Sequence, residues 1–297
     1  MNETGPGMRR RWLWLDGRPY WLDVLRQVER PADAPRLLIV SYLPNEQAFH
    51  ILRVCVQAIQ RFTPEPHEIW VVDNHSPRVQ ADRLLELRDV NIVFNRTEPR
   101  PRGARLFPSM SHQKDWGSYA NAVALEIGMR LIDPNTRFLM TMHMDVMPCR
   151  DGWLSYLRGK INDHVRASGV RMDTARVKEG ILHVLGCMVD FQLFRQMNLD
   201  FFPQLPDYDV GDRTIVRIRQ AGFDVFACPN SLWDEKLLNT LPEQSPFRAL
   251  HVDRSFDDAG NVIFLHLGRG VRKSSGEVIK GTTTEEWIKF ADGTLLS

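Results

Sequence analysis

The chain has 297 residues, of which 43% are hydrophobic and 25% are charged, and its formal net charge is +1. This hydrophobic content is enough for a sizeable core, and the balanced charge lacks the excess of basic residues that is typical of nucleic-acid-binding proteins. The four cysteines are scattered without a CxxC pair, which argues against a disulfide framework or a zinc cluster and favours a reducing compartment. No apolar run approaches the roughly 20 residues needed to span a bilayer, and charged residues interrupt the segment that follows the N-terminal arginines. We therefore expect a cytoplasmic protein that does not bind nucleic acid.

Residues 1–34 are expected to form an N-terminal extension. Trp12, Trp14, Tyr20 and Trp21 lie there among basic residues. The pattern favours a short hairpin or helix packed on the flank of the domain. A peripheral contact with the inner face of a membrane stays open as the alternative, because tryptophan and basic residues together suit a membrane surface.

Three near-continuous apolar runs follow, at residues 36–42, 68–73 and 91–95. Runs of this kind are typical of strands that are covered on both faces. Helical spacing of apolar residues at 49–59 and a more polar segment at 79–87 separate them. The alternation of strands and helices predicts a doubly wound α/β fold with a parallel sheet.

Residues 96–115 form a long stretch with little periodicity, and loops of that length in compact domains are usually functional. Arg96, Arg100, Arg102 and Arg105 lie in it among prolines. We expect a cationic loop near a diphosphate site, with simple solvation of these charges as the alternative. A helix is then predicted from Trp116 onward.

Residues 137–148 begin as an apolar run of strand length and end at Pro148, which cannot continue a hydrogen-bonded ladder. His143 and Asp145 are two residues apart near its end. In an extended chain their side chains would project together from the carboxyl edge of the sheet, where ligands bind in open α/β folds. The pair predicts a divalent-metal site for a phosphate-bearing substrate, and the alternative is a polar strand end with a solvated aspartate.

The second half of the chain has weaker patterns. They predict a surface loop at 162–178, an apolar segment at 181–189, a helix at 191–197, a helix after residue 212, strands at 223–228 and 262–266, and a flap or tail at 271–297.

Five motifs occur in order along residues 36–268. They are Ile39-Val-Ser-Tyr-Leu-Pro-Asn45, Glu68-Ile-Trp-Val-Val-Asp-Asn-His-Ser76, Trp116-Gly-Ser-Tyr-Ala-Asn121, Met142-His-Met-Asp-Val-Met-Pro148 with Gly152-Trp-Leu154 after it, and Asp209-Val-Gly-Asp212 with Ala221-Gly-Phe223. Together they resemble the family 2 glycosyltransferases with the GT-A fold, and the second motif is the most specific match. The resemblance implies a Rossmann-like, mixed and mostly parallel sheet flanked by helices in one large domain. Residues 35–147 would form its nucleotide-sugar-binding half and residues 148–270 its acceptor-binding half.

The resemblance also implies a metal site in which Asp145 and His266 bind Mn²⁺ or Mg²⁺. His143 replaces the first aspartate of the family's Asp-x-Asp segment, which often contacts the ribose, and imidazole tolerates Mn²⁺ better than Mg²⁺. For His266, the alternative is an ordinary histidine at a strand end.

By the same resemblance, the nucleotide would contact Ser41, Tyr42, Asp73, Asn121 and His143. The carboxylate of Asp73 would accept a hydrogen bond from the base. The alternatives are the start of an Asx turn for Asp73 and plain packing for Ser41 and Tyr42.

Displacement at an anomeric carbon with inversion needs one general base to take the proton of the acceptor hydroxyl. Asp209 and Asp212 are the candidates, and we favour Asp209 as the base. Their spacing also resembles a helix cap, with Asp209 at the N-cap and Asp212 in the first turn.

The resemblance therefore predicts a metal-dependent, inverting glycosyltransferase that moves a sugar from a nucleotide-sugar to a hydroxyl of a glycan, a lipid-linked glycan or a small acceptor. A sugar nucleotidyltransferase would need a glycine-rich phosphate loop after the first strand, and residues 41–46 contain no glycine. The remaining alternative is a degenerate GT-A domain that acts as a non-catalytic carbohydrate-binding or scaffold module, which the substitution by His143 keeps open.

Overall fold

The computed structural model describes residues 7–101, 113–171 and 181–297, without the side chains of residues 113–115. Two arginines of the expected cationic loop, Arg102 and Arg105, lie outside these residues. The strands are β1 Met8–Leu15, β2 Arg18–Leu25, β3 Arg36–Ser41, β4 Glu68–Asp73, β5 Val90–Asn95, β6 Phe138–His143, β7 Val146–Pro148, β8 Val165–Arg171, β9 Leu182–Asp190, β10 Asp224–Cys228, β11 Asp253–Phe256 and β12 Val262–His266. The helices are α1 Glu46–Phe62, α2 Arg78–Ala81, α3 Gln113–Leu131, α4 Trp153–Lys160, α5 Phe191–Gln196, α6 Asp212–Gln220, α7 Lys236–Asn239, α8 Gly270–Ser274 and α9 Thr284–Phe290.

The main sheet of the described residues has nine strands in the order β1-β2-β5-β4-β3-β6-β9-β8-β10. The central strands β5, β4, β3 and β6 are parallel to one another. Only β2 and β9 run against both of their neighbours, so the other seven strands share one direction. The predicted α/β fold, with a mostly parallel sheet flanked by helices, is confirmed.

Helices cover both faces of the central strands, which explains why these strands read as continuous apolar runs. On one face, α1 packs Phe49 and Ile59 into the cluster that contains Ile39. On the other face, α3 packs Leu125 beside Leu38. Both helices begin near the carboxyl edge of the parallel strands, since α1 follows the end of β3 and the carbonyl oxygen of Ala120 in the first half of α3 accepts a hydrogen bond from Asn74, which follows β4.

The N-terminal segment forms a hairpin that is part of the main sheet. β2 pairs antiparallel with β5, with Leu22 opposite Asn95. This register buries Tyr20 and Leu22 toward the α3 side. The hairpin form was expected, but the pairing continues the central sheet instead of leaving an element packed on its flank.

The second half departs from the sequence expectations in two places. Residues 165–171 of the expected surface loop form β8, which pairs with β9 and β10; residues 172–180 lie outside the described part of the chain. The expected C-terminal flap contains α9, which begins with a capping box of Thr283 and Glu286 and buries Trp287 in the core. Burial of that apolar side chain fixes the segment against the domain.

A small second sheet has the order β11-β12-β7. Pro148, at which the strand was expected to end, is the last residue of β7 and lies opposite Phe264. In the same register His266 lies opposite Val146, so the end of β12 reaches the segment that follows β6.

All four cysteines lie within the described residues, where they are buried free thiols. Among the described helices, none combines the length and the apolar character that crossing a bilayer requires.

Candidate metal centre and adjoining cavities

Three possible metal ligands meet at the carboxyl edge of β6. They are His143 at the end of β6, Asp145 in the turn between β6 and β7, and His266 at the end of β12. Their ligand atoms all lie within 4.8 Å of one another. The expected extended chain through Asp145 is wrong, because the strand ends at His143. The turn nevertheless keeps the two side chains together, and the pairing of β12 with β7 adds His266 from the far end of the chain.

Two distances define this group. The Oδ1 atom of Asp145 lies 3.7 Å from Nε2 of His266 and 4.0 Å from Nδ1 of His143. Two imidazoles and one carboxylate form a donor set that suits Mn²⁺ and other transition metals better than Mg²⁺. The structure thus brings together the two residues expected to bind metal, and it places His143, expected at the ribose, in the same group.

Two further contacts hold the group in orientation. Nδ1 of His266 lies 3.0 Å from Oδ2 of Asp253, and Oδ2 of Asp145 accepts a hydrogen bond of 2.8 Å from the N–H of Gly270. Both contacts use the atom that faces away from the cluster. Supporting contacts of this kind fix the orientation of metal-ligating histidines and carboxylates. Asp253 and Gly270 were not among the expected site residues.

The local charges favour ionised Asp145 and neutral His143. Burial lowers the pKa of His143 to about 4. Burial opposes the ionisation of Asp145, but the neighbouring His266 and His143 still lower its pKa. Burial likewise opposes the charge on His266, but Asp145 and Asp253 raise its pKa. A carboxylate and a neutral imidazole are the forms that bind metal, and a cation would compete with the proton of His266.

A cavity of about 200 Å³ adjoins the metal-ligand group. It is lined by Gly117, Ser118, Asn121, His143, His183, Val184, Asp209, Val210 and Asp212. The side-chain nitrogen of Asn121 lies 3.4 Å from Nε2 of His143. Asn121, His143 and both expected acidic residues therefore line one cavity, which we call the small cavity.

The two aspartates of the small cavity have different surroundings. Asp212 is 2% exposed, and its Oδ2 accepts a hydrogen bond of 2.9 Å from the N–H of Asp209. Asp209 is partly exposed, and its Oδ1 accepts from the N–H of Val210 at 2.8 Å. The expected N-cap at Asp209 is wrong: α6 begins at Asp212, and Gly211 is its N-cap with φ of 76°. A Cβ at Gly211 would lie 2.5 Å from the side chain of Val184, so the turn requires glycine.

His183 is a cavity residue that the sequence interpretation missed. Its ring lies 5.3 Å from the ring of His143, edge-on at 86°. Its Nδ1 accepts a hydrogen bond of 3.1 Å from the N–H of Leu185. The available signal was a single histidine in the otherwise apolar segment that forms β9.

Asp73 lies at the end of β4 but is 1% exposed. Its carboxylate accepts hydrogen bonds from the hydroxyl and, at 3.3 Å, from the N–H of Ser76. The hydroxyl of Ser76 in turn accepts from the N–H of Leu43 at 2.8 Å. Burial raises the pKa of Asp73 to about 6. In the structure Asp73 closes the turn after β4, as in the alternative interpretation of this residue as a turn former.

The other residues expected at the nucleotide differ in exposure. Ser41 is fully buried, with its hydroxyl 3.4 Å from the carbonyl oxygen of Val72, whereas Tyr42 is exposed. Tyr42 lines a cavity of about 960 Å³, which we call the trough. The trough is lined by Met8, Arg10, Trp21, Leu22, Asp23, Tyr42, His75, Ser76, Pro77, Arg78, Asp82, Leu85, Asn95 and Arg96. Within the described residues, Asp73 lines neither the trough nor the small cavity.

A scan against protein-family models and a search of curated proteins found no match. Among solved structures, the chain is similar to the mannosyltransferase PcManGT from Pyrobaculum calidifontis in complex with GDP-Man and Mn²⁺, with 16% identity and a TM-score of 0.45, over 68% of this chain and 59% of that chain. It is also similar to mouse xyloside xylosyltransferase 1, with 12% identity and a TM-score of 0.38, over 56% of this chain and 69% of that chain. A third similar structure is a mutant of Drosophila β1,4-galactosyltransferase 7 with manganese, UDP-Gal and xylobiose, with 13% identity and a TM-score of 0.36, over 78% of this chain and 93% of that chain. The chain thus spans less than two thirds of the length of the mannosyltransferase.

Proposed function

We propose that this chain is a metal-dependent glycosyltransferase that moves a sugar from a nucleotide-sugar to a hydroxyl of a glycan, a lipid-linked glycan or a small acceptor. The observation that carries the proposal is the meeting of His143, Asp145 and His266 at the carboxyl edge of the parallel strands. This is the edge at which open α/β sheets bind their ligands. The five sequence motifs supply the reaction class, since they resemble those of family 2 glycosyltransferases.

The residues present fit a divalent cation. The pKa of Asp145 is lowered and that of His143 is lowered to about 4, so both offer the deprotonated form. Asp253 contacts Nδ1 of His266, and Gly270 donates to Oδ2 of Asp145. These contacts leave Nε2 of His266 and Oδ1 of Asp145 facing each other. A bound cation would offset the negative charge of the departing diphosphate. We propose all three ligands for this site, with Mn²⁺ preferred over Mg²⁺.

Asp209 is our proposed general base. Asp209 lines the small cavity beside His143. Burial lowers the pKa of His143, and the negative charge of Asp209 opposes this effect in part. In the proposed reaction Asp209 takes the proton of the acceptor hydroxyl while the acceptor oxygen bonds to the anomeric carbon. The bond from that carbon to the diphosphate oxygen breaks on the opposite side, which inverts the configuration. Asp212 acts through Asp209, because its buried carboxylate fixes the backbone of the turn.

A working enzyme is favoured over a non-catalytic module by this combination of features. A carbohydrate-binding surface needs neither three convergent metal-ligating side chains nor supporting contacts that fix the orientation of those side chains. It also needs no carboxylate in the adjoining cavity. The occurrence of these groups within one region of the fold supports the proposal.

The test is isothermal titration calorimetry of Asp145→Asn with a nucleoside diphosphate and Mn²⁺. Loss of a direct ligand should weaken metal-dependent binding by more than the roughly 10–100-fold typical of a lost supporting contact. Asp163→Asn is a matched control, because its exposed carboxylate lies in the turn before β8 and is not part of the cluster. Unchanged affinity of Asp145→Asn would contradict the metal assignment. Absence of sugar transfer and of Mn²⁺-dependent donor hydrolysis in the wild-type protein would contradict the enzyme class.

A further inference from the structure

The β1–β2 hairpin presents three exposed tryptophans on one face. Trp12 is 57%, Trp14 is 62% and Trp21 is 52% exposed. Trp12 lies directly opposite Trp21, and Trp14 is two residues further along the same strand, so all three indoles project to the same side of the hairpin. Exposed aromatic groups of this size are usually functional when they cluster. The three residues nevertheless differ in one respect, since only Trp21 lines the trough in the described structure.

The position of the trough relates it to the metal centre. Tyr42 follows β3, Ser76 follows β4, and Arg96 follows β5, so the trough lies at the same sheet edge as the metal ligands. The strand order β5-β4-β3-β6 separates the ends of β4 and β5 from the end of β6 by two or three strand spacings. That is roughly 10–15 Å, which is comparable with the distance between the base and the diphosphate of one extended nucleotide.

The chemistry of the trough suits a planar, polar ring. Nε of Arg96 and Nε of Arg10 donate to the two carboxylate oxygens of Asp23, at 2.9 and 3.3 Å. These bonds hold both guanidinium groups in place and, as far as the described residues go, leave their other N–H groups for acceptors on a ligand. Tyr42 and Trp21 add aromatic surface, on which nucleobases stack.

The backbone of Trp21 is fixed relative to this site. Its N–H donates to the hydroxyl of Thr97 at 2.9 Å, and its carbonyl oxygen accepts from the N–H of Arg96 at 2.8 Å. Both partners follow directly after β5. Trp21 is therefore anchored to the segment that forms the wall of the trough, although it belongs to the hairpin.

We infer that Trp21 of the N-terminal hairpin is a stacking surface for the nucleobase of the donor, in the trough that Tyr42 also lines. The inference rests on the proposed function, which supplies the nucleotide. It gives the N-terminal hairpin, which lies outside the sequence resemblance, a direct part in donor recognition. It also moves base recognition away from Asp73, whose carboxylate is buried and bonded to Ser76.

The experiment compares Trp21→Ala, Trp21→Phe and Trp14→Ala by calorimetry. The ligands are UDP, GDP and dTDP, each with Mn²⁺, and inorganic diphosphate with Mn²⁺ as a probe that lacks a base. Trp14→Ala is the matched control, because Trp14 lies on the same face of the same strand pair with similar exposure but not in the lining of the trough. Removal of one base-stacking aromatic should weaken the tightest nucleoside diphosphate by about tenfold. Trp21→Phe should keep most of the affinity, Trp14→Ala should match the wild type, and diphosphate should bind all variants equally.

Several outcomes would overturn the inference. One is wild-type affinity of Trp21→Ala for every nucleoside diphosphate. Another is an equal loss for diphosphate, which would place the effect at the metal centre. A third is loss of retention on phosphatidylserine vesicles in both tryptophan-to-alanine variants without a change in nucleotide affinity, which would assign this face to a membrane surface. If the wild type binds nucleotides through Trp21 but transfers no sugar, the proposed function fails and the base site stands.

Discussion

Gly270→Ala is a sharp test of the metal centre, because Gly270 touches Asp145 without being a ligand itself. A Cβ at Gly270 would lie 2.7 Å from Cβ, 3.0 Å from Oδ2 and 3.3 Å from Cγ of Asp145. Unstrained carbon contacts have separations of about 3.5–4.0 Å. The two segments must therefore move apart by roughly 0.8 Å or more, and this displacement exceeds the tolerance of about 0.5 Å within which functional side chains must be held.

The expected result is a weaker metal site in a folded protein. The hydrogen bond of 2.8 Å from the N–H of Gly270 to Oδ2 of Asp145 would lengthen or break. Loss of such a supporting contact typically lowers metal affinity 10–100-fold, or about 1.4–2.7 kcal/mol. Crowding in a packed region should also lower the free energy of unfolding by about 1–3 kcal/mol.

The assay is calorimetry with Mn²⁺, together with denaturant unfolding of the same samples. Gly159→Ala is the control, because Gly159 lies in α4 with no atom within 4 Å of an added Cβ, and alanine there should be neutral or stabilising. Wild-type Mn²⁺ affinity of Gly270→Ala, with or without a loss of stability, would refute the reasoning. In that case the hydrogen bond from Gly270 would not be needed to hold the carboxylate of Asp145 at the metal centre.

Two more predictions concern carboxylates near the sheet edge. Asp209→Asn should lower kcat by roughly 10²–10⁴-fold with unchanged Mn²⁺ affinity. Asp212→Asn should mainly lower the free energy of unfolding, by about 1–3 kcal/mol. Initial rates and denaturant unfolding distinguish the two effects, and a wild-type rate for Asp209→Asn would show that Asp209 is not the base. For Asp73, burial raises the pKa from its ordinary value of 3.8 to about 6, so the folded state binds the proton more tightly than the unfolded state between these values. Unfolding free energy should therefore fall by about 2 kcal/mol more in the wild type than in Asp73→Asn between pH 4 and pH 7, as measured by urea titrations; parallel profiles would show that Asp73 has no raised pKa.

The sequence predicted the central strands well because burial on both faces leaves a strong signal. β3, β4 and β5 appear as apolar runs between helical segments, and the structure pairs them in parallel as expected. The residues of the β1–β2 hairpin carry no such signal of burial on both faces, so the sequence did not indicate that the hairpin joins the main sheet. In β1 most side chains face solvent, and the buried positions of β2 are explained only by its neighbour β5. Membership of an edge strand in a sheet is a tertiary property, which local spacing does not encode.

The metal centre likewise combines residues that are close in sequence with residues that are far apart in sequence. His143 and Asp145 are only two positions apart in sequence, so their proximity follows from any tight chain path. Asp253 reaches His266 only because β11 and β12 pair in a register that places the two residues opposite each other. Gly270 contacts Asp145 across 125 positions of sequence, and no local pattern indicates that contact.

The architecture of the second sheet explains how these distant residues come to act as one site. β12 pairs with β7 directly after the turn that carries Asp145, and the N–H of Leu267 donates to the carbonyl oxygen of Asp145 at 3.0 Å. The chain then enters α8, whose first residue is Gly270, and continues to α9, whose Trp287 is buried in the same core as α1. Hydrogen bonds from Leu267 and Gly270 thus fix both the backbone and the carboxylate of Asp145. Because α9 ties the same segment to the core, the position of the Asp145 carboxylate depends on the packing of the C-terminal region.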